Sequence, residues 1–132
     1  MPEVLVLDDV EDVLCRHLAA QLLVPWSTRI PRVGAGQERP LAFGRLYIIG
    51  GQATGLVVHR VRLQVDVYAH LESEAWPLAQ QAMGVIGALG RVEGIQFYRP
   101  QLQVPANLPD PDIRDRVRYA ANPAVGVRAR AA

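Results

Sequence analysis

From Val57 onward the chain alternates between two kinds of residue. Val57, His59, Val61, Leu63, Val65 and Val67 hold the odd positions, while Val58, Arg60, Arg62, Gln64, Asp66 and Tyr68 hold the even ones. Period two marks a strand with one face toward a core and the other toward water or a partner. Val61, Leu63, Val65 and Val67 are therefore expected inside, and their even-numbered neighbours outside. An apolar, β-prone run at 41–49 precedes this strand, and the stretch between them (Gly50, Gly51, Gln52, Ala53, Thr54, Gly55) reads as a loop. The pattern predicts a long β-hairpin, 41–49 with 56–69, closed by that loop.

Two stretches carry helical spacing instead. Val10, Val13, Leu14, Leu18 and Leu22 recur every three or four residues and predict a helix over 9–23. Asp8 or Asp9 can cap it, Glu11 and Asp12 suit its first turn, and Pro25 stops it. Ala75, Ala79, Ala82, Met83, Ile86 and Leu89 predict a second helix over 72–89. Pro77 fits only near its first turn, so this helix either begins close to Ser73 or kinks.

The remaining segments are shorter. Residues 27–33 read as a short strand that Pro31 confines to an edge, and Gly34, Ala35 and Gly36 as a turn. Residues 95–104 read as a strand broken by Pro100, and the proline-rich stretch 105–112 as a loop that cannot enter a sheet interior. Segments 116–119 and 125–130 read as closing strands separated at Asn122 and Pro123. The order predicts one α+β domain over 1–132: a mainly antiparallel mixed sheet, a long β-hairpin and two helices on one face.

Composition narrows the function classes. Half of the 132 residues are hydrophobic and the formal net charge is +1, so no strong field draws nucleic acid or a membrane surface. No run approaches the ~20 apolar residues of a membrane span. The N-terminus turns acidic at Asp8 and Asp9 without a basic leader region, so the chain is expected to stay in the compartment where it is made. All fourteen basic residues are arginine. That choice suits bidentate interface pairing, and it also follows from GC-rich codon usage.

Candidate chemistry is sparse. His17, His59 and His70 stand without a neighbour that suggests a metal pair or a nucleophile and base. Asp8 and Asp9 read more simply as caps than as a carboxylate pair, and Asp110 and Asp112 as a solvated turn. The glycine-rich stretch 50–55 lacks the Gly-Lys-Ser/Thr ending of a phosphate loop and opens a strand. Cys15 is the single cysteine and reads as a small hydrophobe. The expectation is a non-enzymatic protein with no catalytic, metal or cofactor-binding residue.

Strand length points toward assembly. A chain of this size packs to a diameter of roughly 35 Å. A strand over 56–68 would run about 43 Å at ~3.3 Å per residue. One end of the hairpin should overhang, and an overhanging strand edge needs protection or a partner. The ends of the chain differ in charge as well. Glu3, Asp8, Asp9, Glu11 and Asp12 crowd the first, and Arg114, Arg116, Arg118, Arg128 and Arg130 the last. These ends could pair between subunits of a ring, meet within one chain, or stay solvated. The candidate interface thus comprises Gly50, Gly51, Gln52, Ala53, Thr54, Gly55, Arg60, Arg62, Asp8, Asp9, Arg128 and Arg130.

The acid-capped first helix, the strand VRLQVDVYA at 61–69, the helix start ESEAWPLA at 72–79 and the closing run LPDPDIRDRVRY at 108–119 resemble the tail-terminator proteins of long-tailed bacteriophages. The likeness spans residues 4–130 and departs from the family at Pro77 and Pro123. Arginine-only, GC-rich usage is what a phage of a GC-rich actinobacterial host would show. The likeness implies a non-enzymatic virion protein assembled in the host cytoplasm. Such proteins form a homo-oligomeric ring, a hexamer, at the head-proximal end of the tail tube. The implied partners are other copies, the major tail tube protein and a head completion or neck protein. Phage DNA would pass through the lumen without sequence-specific binding, and no membrane is involved. Another head-to-tail neck protein, or a small-ligand-binding α+β domain, is the alternative.

Overall fold

A computed structural model of the chain describes residues 4–33, 38–53, 55 and 57–132. In chain order the elements are β1 (Leu5–Val6), α1 (Val10–Leu22), β2 (Trp26–Ser27), β3 (Ala42–Ala53), β4 (Val58–Ala69), α2 (Glu72–Gly87), β5 (Arg91–Val92), β6 (Ile95–Gln101), β7 (Ala106–Asn107), β8 (Val117–Ala121), β9 (Ala124–Arg128) and β10 (Arg130–Ala131). The fold is α+β. The predicted turn at 34–36, together with Thr54 and Leu56 of the predicted hairpin, lies outside the described residues.

Helix α1 starts where Asp9 accepts the Asp12 N–H at 3.1 Å, which satisfies one of the unpaired donors of the first turn. It ends at Leu23, whose φ of 60° is left-handed. Helix α2 begins at Glu72, the first residue of the predicted span, so Pro77 stands in the second turn on the exposed side. Both helices pack on one face of the sheet, α1 against α2 and β3, and α2 against β4 and β8.

Four strand tracks make the sheet. The β3, β4, β8–β9 and β6–β7 tracks run antiparallel in turn, while β2 adds to β3 in parallel and β5 adds to β6. Strands β8 and β9 are one track in a single register. Val65 faces Ala121 and Arg62 faces Ala124, with the Leu63 N–H donating to the Pro123 carbonyl at 2.8 Å between them. The expected separation at Asn122 and Pro123 therefore shrinks to one missing donor. Proline has no N–H to offer the Leu63 carbonyl, and the Asn122 side-chain amide reaches that oxygen instead at 3.4 Å.

On the helix face, Val61, Leu63, Val65 and Val67 are buried among Leu14, Leu18, Ala79, Ala82, Ile86, Val125 and Val127. This is the face the alternation predicted. Trp26 closes it beside β3, and here glycine is required. A Cβ on Gly44 would fall 2.3–2.4 Å from the Trp26 ring, so only a bare Cα admits the indole. Strand β2 is limited to Trp26 and Ser27, the Ser27 hydroxyl bonds the Arg29 backbone in the bend that follows, and the strand expected over 27–33 does not form.

The opposite face corrects the sequence reading. Asp66 and Tyr68 are fully buried, although their even positions predicted exposure. The segment around Asp110 and Ile113 folds back over this face, and Ile113 packs with Phe43 and Tyr68, whose rings stack with centroids 4.7 Å apart. Asp66 is satisfied from three sides: Arg45 at 2.7 Å, the Gln64 amide at 2.8 Å and Arg118 at 3.9 Å. A carboxylate buried there without such partners would be strongly destabilising. Asp110 is likewise more than a solvated turn, since it accepts the Tyr68 hydroxyl at 2.8 Å and the Asp112 N–H at 2.9 Å. The loop expected over 105–112 contributes β7, which pairs with β8 from the outside.

Candidate interaction surface at the hairpin tip

The first four residues of the glycine-rich stretch, Gly50–Ala53, are strand and not loop. Gly50, Gly51, Gln52 and Ala53 continue β3 and face Arg62, Val61, Arg60 and His59 after a one-residue bulge at Ile49. Gly50 and Gly51 take φ of 146° and 151°, a conformation L side chains rarely adopt. A Cβ on Gly51 would also lie 2.0 Å from the Arg60 carbonyl oxygen. The glycines let β3 pass the bulge and keep pairing to the tip. From Ile48 to Ala53 every residue is exposed.

Arg60 and Arg62 leave the outer face opposite Gly126 and Ala124. Because those partners are small, a concavity of about 350 Å³ opens there, lined by Gly51, Gln52, Arg60, Arg62, Gln101 and Ala124. Arg62 donates to the Asn122 carbonyl at 3.1 Å. Among the described residues, neither arginine has a carboxylate partner. On the helix face Leu7, Ile48, His59 and Val61 line a second, shallower hollow against the same strand.

The other predicted residues fall elsewhere. Asp8 and Arg130 meet within the chain, where the Arg130 guanidinium donates to the Asp8 carboxylate beside the β1–β10 ribbon. Of the three arrangements open to the charged ends, the structure takes the intrachain one for this pair. Asp9 is the helix cap and lines a separate hollow beside Glu11, Asp12 and Arg16. Arg128 is exposed at the end of β9 opposite Val58, close to the tip. The structure thus brings Gly50, Gly51, Gln52, Ala53, Arg60 and Arg62 together and leaves Asp8, Asp9 and Arg130 apart. Gly55 is exposed, and Thr54 lies outside the described residues. Gln101 and Ala124 also border the concavity but escaped the sequence reading, because only the β6–β9–β4 register brings them to Arg62.

Cys15 is buried against β3 with its Sγ 3.9 Å from the Leu46 carbonyl. Burial, reinforced by Asp12 and Glu11, pushes its thiol up to about 11, so it is a poor nucleophile at neutral pH. Among the described residues, no group of three or more His, Cys, Asp or Glu side chains is placed to hold a metal ion, and no helix is long and apolar enough to cross a membrane. No family model matches the chain, and no curated protein matches it.

Proposed function

We propose that the chain is a structural subunit of a homo-oligomeric ring at the head-proximal end of a phage tail tube, where it ends tube polymerisation and joins tail to head. The observation that carries this reading is the distal half of the hairpin. Residues 48–53 form an exposed strand without a single charged side chain, beyond a base that is buried on both faces. A strand that long, without charge or proline along it, invites pairing with another chain, and in a soluble assembly the edge is closed by a partner. The proposed partners are other copies, the tail tube protein, a head completion protein and DNA passing through the lumen.

Negative-stain microscopy of the purified protein tests the reading directly. Rings with a central hole are expected, and adding them to polymerising tube protein should arrest tube growth. A chain that stays monomeric at high concentration and leaves tube length unchanged overturns it. A second reading, an anion-binding module, is favoured by the paired guanidinium groups of Arg60 and Arg62 over the concavity. It predicts a phosphate-dependent rise in melting temperature that Arg60→Ala abolishes.

A further inference from the structure

The sheet has two open edges, and they match. On one side, β2 covers β3 only at Gly44 and Arg45, so the outer edge from Leu46 to Ala53 has no strand beside it among the described residues. The Ile48 N–H points out of the sheet there and is taken by the Glu11 carboxylate at 2.8 Å. On the other side, β5 pairs with β6 at Ile95 and Gln96, and the Gly90 carbonyl accepts the Phe97 N–H at 2.8 Å. Beyond it Gln101, Leu102, Gln103 and Val104 run exposed between Pro100 and Pro105. Leu102 is 47% and Val104 81% exposed, against 36% for Ile48 and 45% for Ile49.

Three features of the fold bring these edges into correspondence. The first is direction. The β3, β4, β8–β9 and β6–β7 tracks alternate, so a second copy in the same orientation would lay its β6–β7 track antiparallel to β3. The second is height. Gly50 faces Arg62, Arg62 faces Ala124 and Ala124 faces Gln101, while Ala106 stands level with Arg45 through Ala120 and Asp66, so 101–104 lie level with β3 between Arg45 and Gly50. The third is the face. Ile48 stands opposite Leu63 on the helix side, and Leu102 lies on the same side, 2.9 Å from where a Cβ on Gly87 of α2 would be. Neither edge segment has a charged side chain of its own, so no like-charge pair between them opposes contact.

We propose that residues 101–104 of a second copy pair antiparallel with the outer edge of β3, so that the sheet continues from subunit to subunit. The contact is heterologous, one edge meeting a different edge, and it closes into a ring when the rotation per subunit divides a full turn. The incoming strand takes the Ile48 N–H from Glu11 and sets Leu102 and Val104 beside Ile48 and Ile49. This inference rests on the ring reading but does not depend on what the ring caps.

Two single-edge variants test it. Ile49→Lys places a charge on the β3 edge and Val104→Lys on the opposite one, each at an exposed position where folding is expected to survive. Circular dichroism and melting temperature check that it does. In sedimentation, each variant alone should lose ring assembly, with the association constant weakened at least roughly tenfold. Mixed in equal amounts, they should form a one-to-one heterodimer and nothing larger, because only one junction is intact. Rings that persist in either variant overturn the edge pairing while leaving the ring reading standing. So does a mixture of two folded variants that stays monomeric. A wild-type chain that is monomeric at high concentration overturns both.

Discussion

The base and the tip of the β3–β4 hairpin are built from the same two strands under opposite conditions. At the base, Phe43, Leu46, Val65, Val67 and Tyr68 are buried between the helices on one side and the segment carrying Asp110 and Ile113 on the other. A polar group there must bring its partners, and Asp66 has Arg45, Gln64 and Arg118. At the tip, Gln52 and Ala53 are exposed and Arg60 has no carboxylate counter-ion among the described residues. The base sequence answers to packing. The tip sequence is constrained by backbone geometry at its glycines and is otherwise free to serve a partner.

The largest difference between the ends should appear on truncation of apolar side chains. Leu63→Ala in the fully buried region is expected to cost ~2–5 kcal/mol in urea unfolding, and Ile49→Ala at the tip within about 0.5 kcal/mol. Equal costs would mean that the tip is packed as tightly as the base. Charge removal should follow the same division. Asp66→Ala leaves Arg45 facing a buried void and should cost about 3–5 kcal/mol, whereas Arg60→Ala should stay within about 0.5 kcal/mol. Gln64→Ala falls between them at ~1–2 kcal/mol, because Gln64 bonds both Asp66 and Asn122.

How much of this contrast was legible in the sequence differs by element. The helices and the helix-side face of β4 were legible, because three to five repeats of one period leave little choice. Strands of two residues, such as β1, β5 and β10, carry no period at all. Gly50 and Gly51 were read as loop because glycine usually breaks strands, yet here it is what allows β3 to continue past its bulge. The buried outer face was missed for another reason. Alternation reports that a strand has two faces, not that a segment over forty residues later will cover the second one. The signal available was Asp66 itself, a residue disfavoured in strands standing between Val65 and Val67. Arg60 and Arg62 were legible as surface cations, whereas their neighbours Gln101 and Ala124 depend on a register that only the folded sheet supplies.

A smaller effect probes the one place where the tip is as constrained as the base. Gly51→Ala should cost ~1–3 kcal/mol, since the added methyl meets the Arg60 carbonyl and the φ of 151° is itself unfavourable for alanine. Far-ultraviolet circular dichroism and thermal melting check this. If Gly51→Ala melts like the wild type, then β3 ends before the tip and the unconstrained part of the hairpin begins at Ile48.

The smallest effect concerns acid and belongs to the base alone. Burial raises the cost of ionising Asp110, but the hydrogen bonds it accepts from the Tyr68 hydroxyl and the Asp112 N–H outweigh that cost and hold its carboxyl below the usual carboxylate range. Tyr68 responds in the opposite direction. Burial and the same hydrogen bond to Asp110 push its hydroxyl above the ordinary tyrosine value, so it stays protonated, and a donor, in acid and at neutrality alike. Because the folded carboxyl titrates lower than the unfolded one, its contribution is fully present above the unfolded value of about 4 and is lost as pH falls through the folded one. Tyr68→Phe removes the hydroxyl and keeps the ring stacked on Phe43, so packing is largely preserved. The variant should be less stable than the wild type by ~0.5–1.5 kcal/mol at pH 7, and the gap should narrow below about pH 4. Urea titrations at pH 7 and pH 3 measure the two gaps. A gap that stays constant with pH would mean that the hydroxyl matters only for fit, and that the covering segment is held to the base by Ile113 rather than by Asp110.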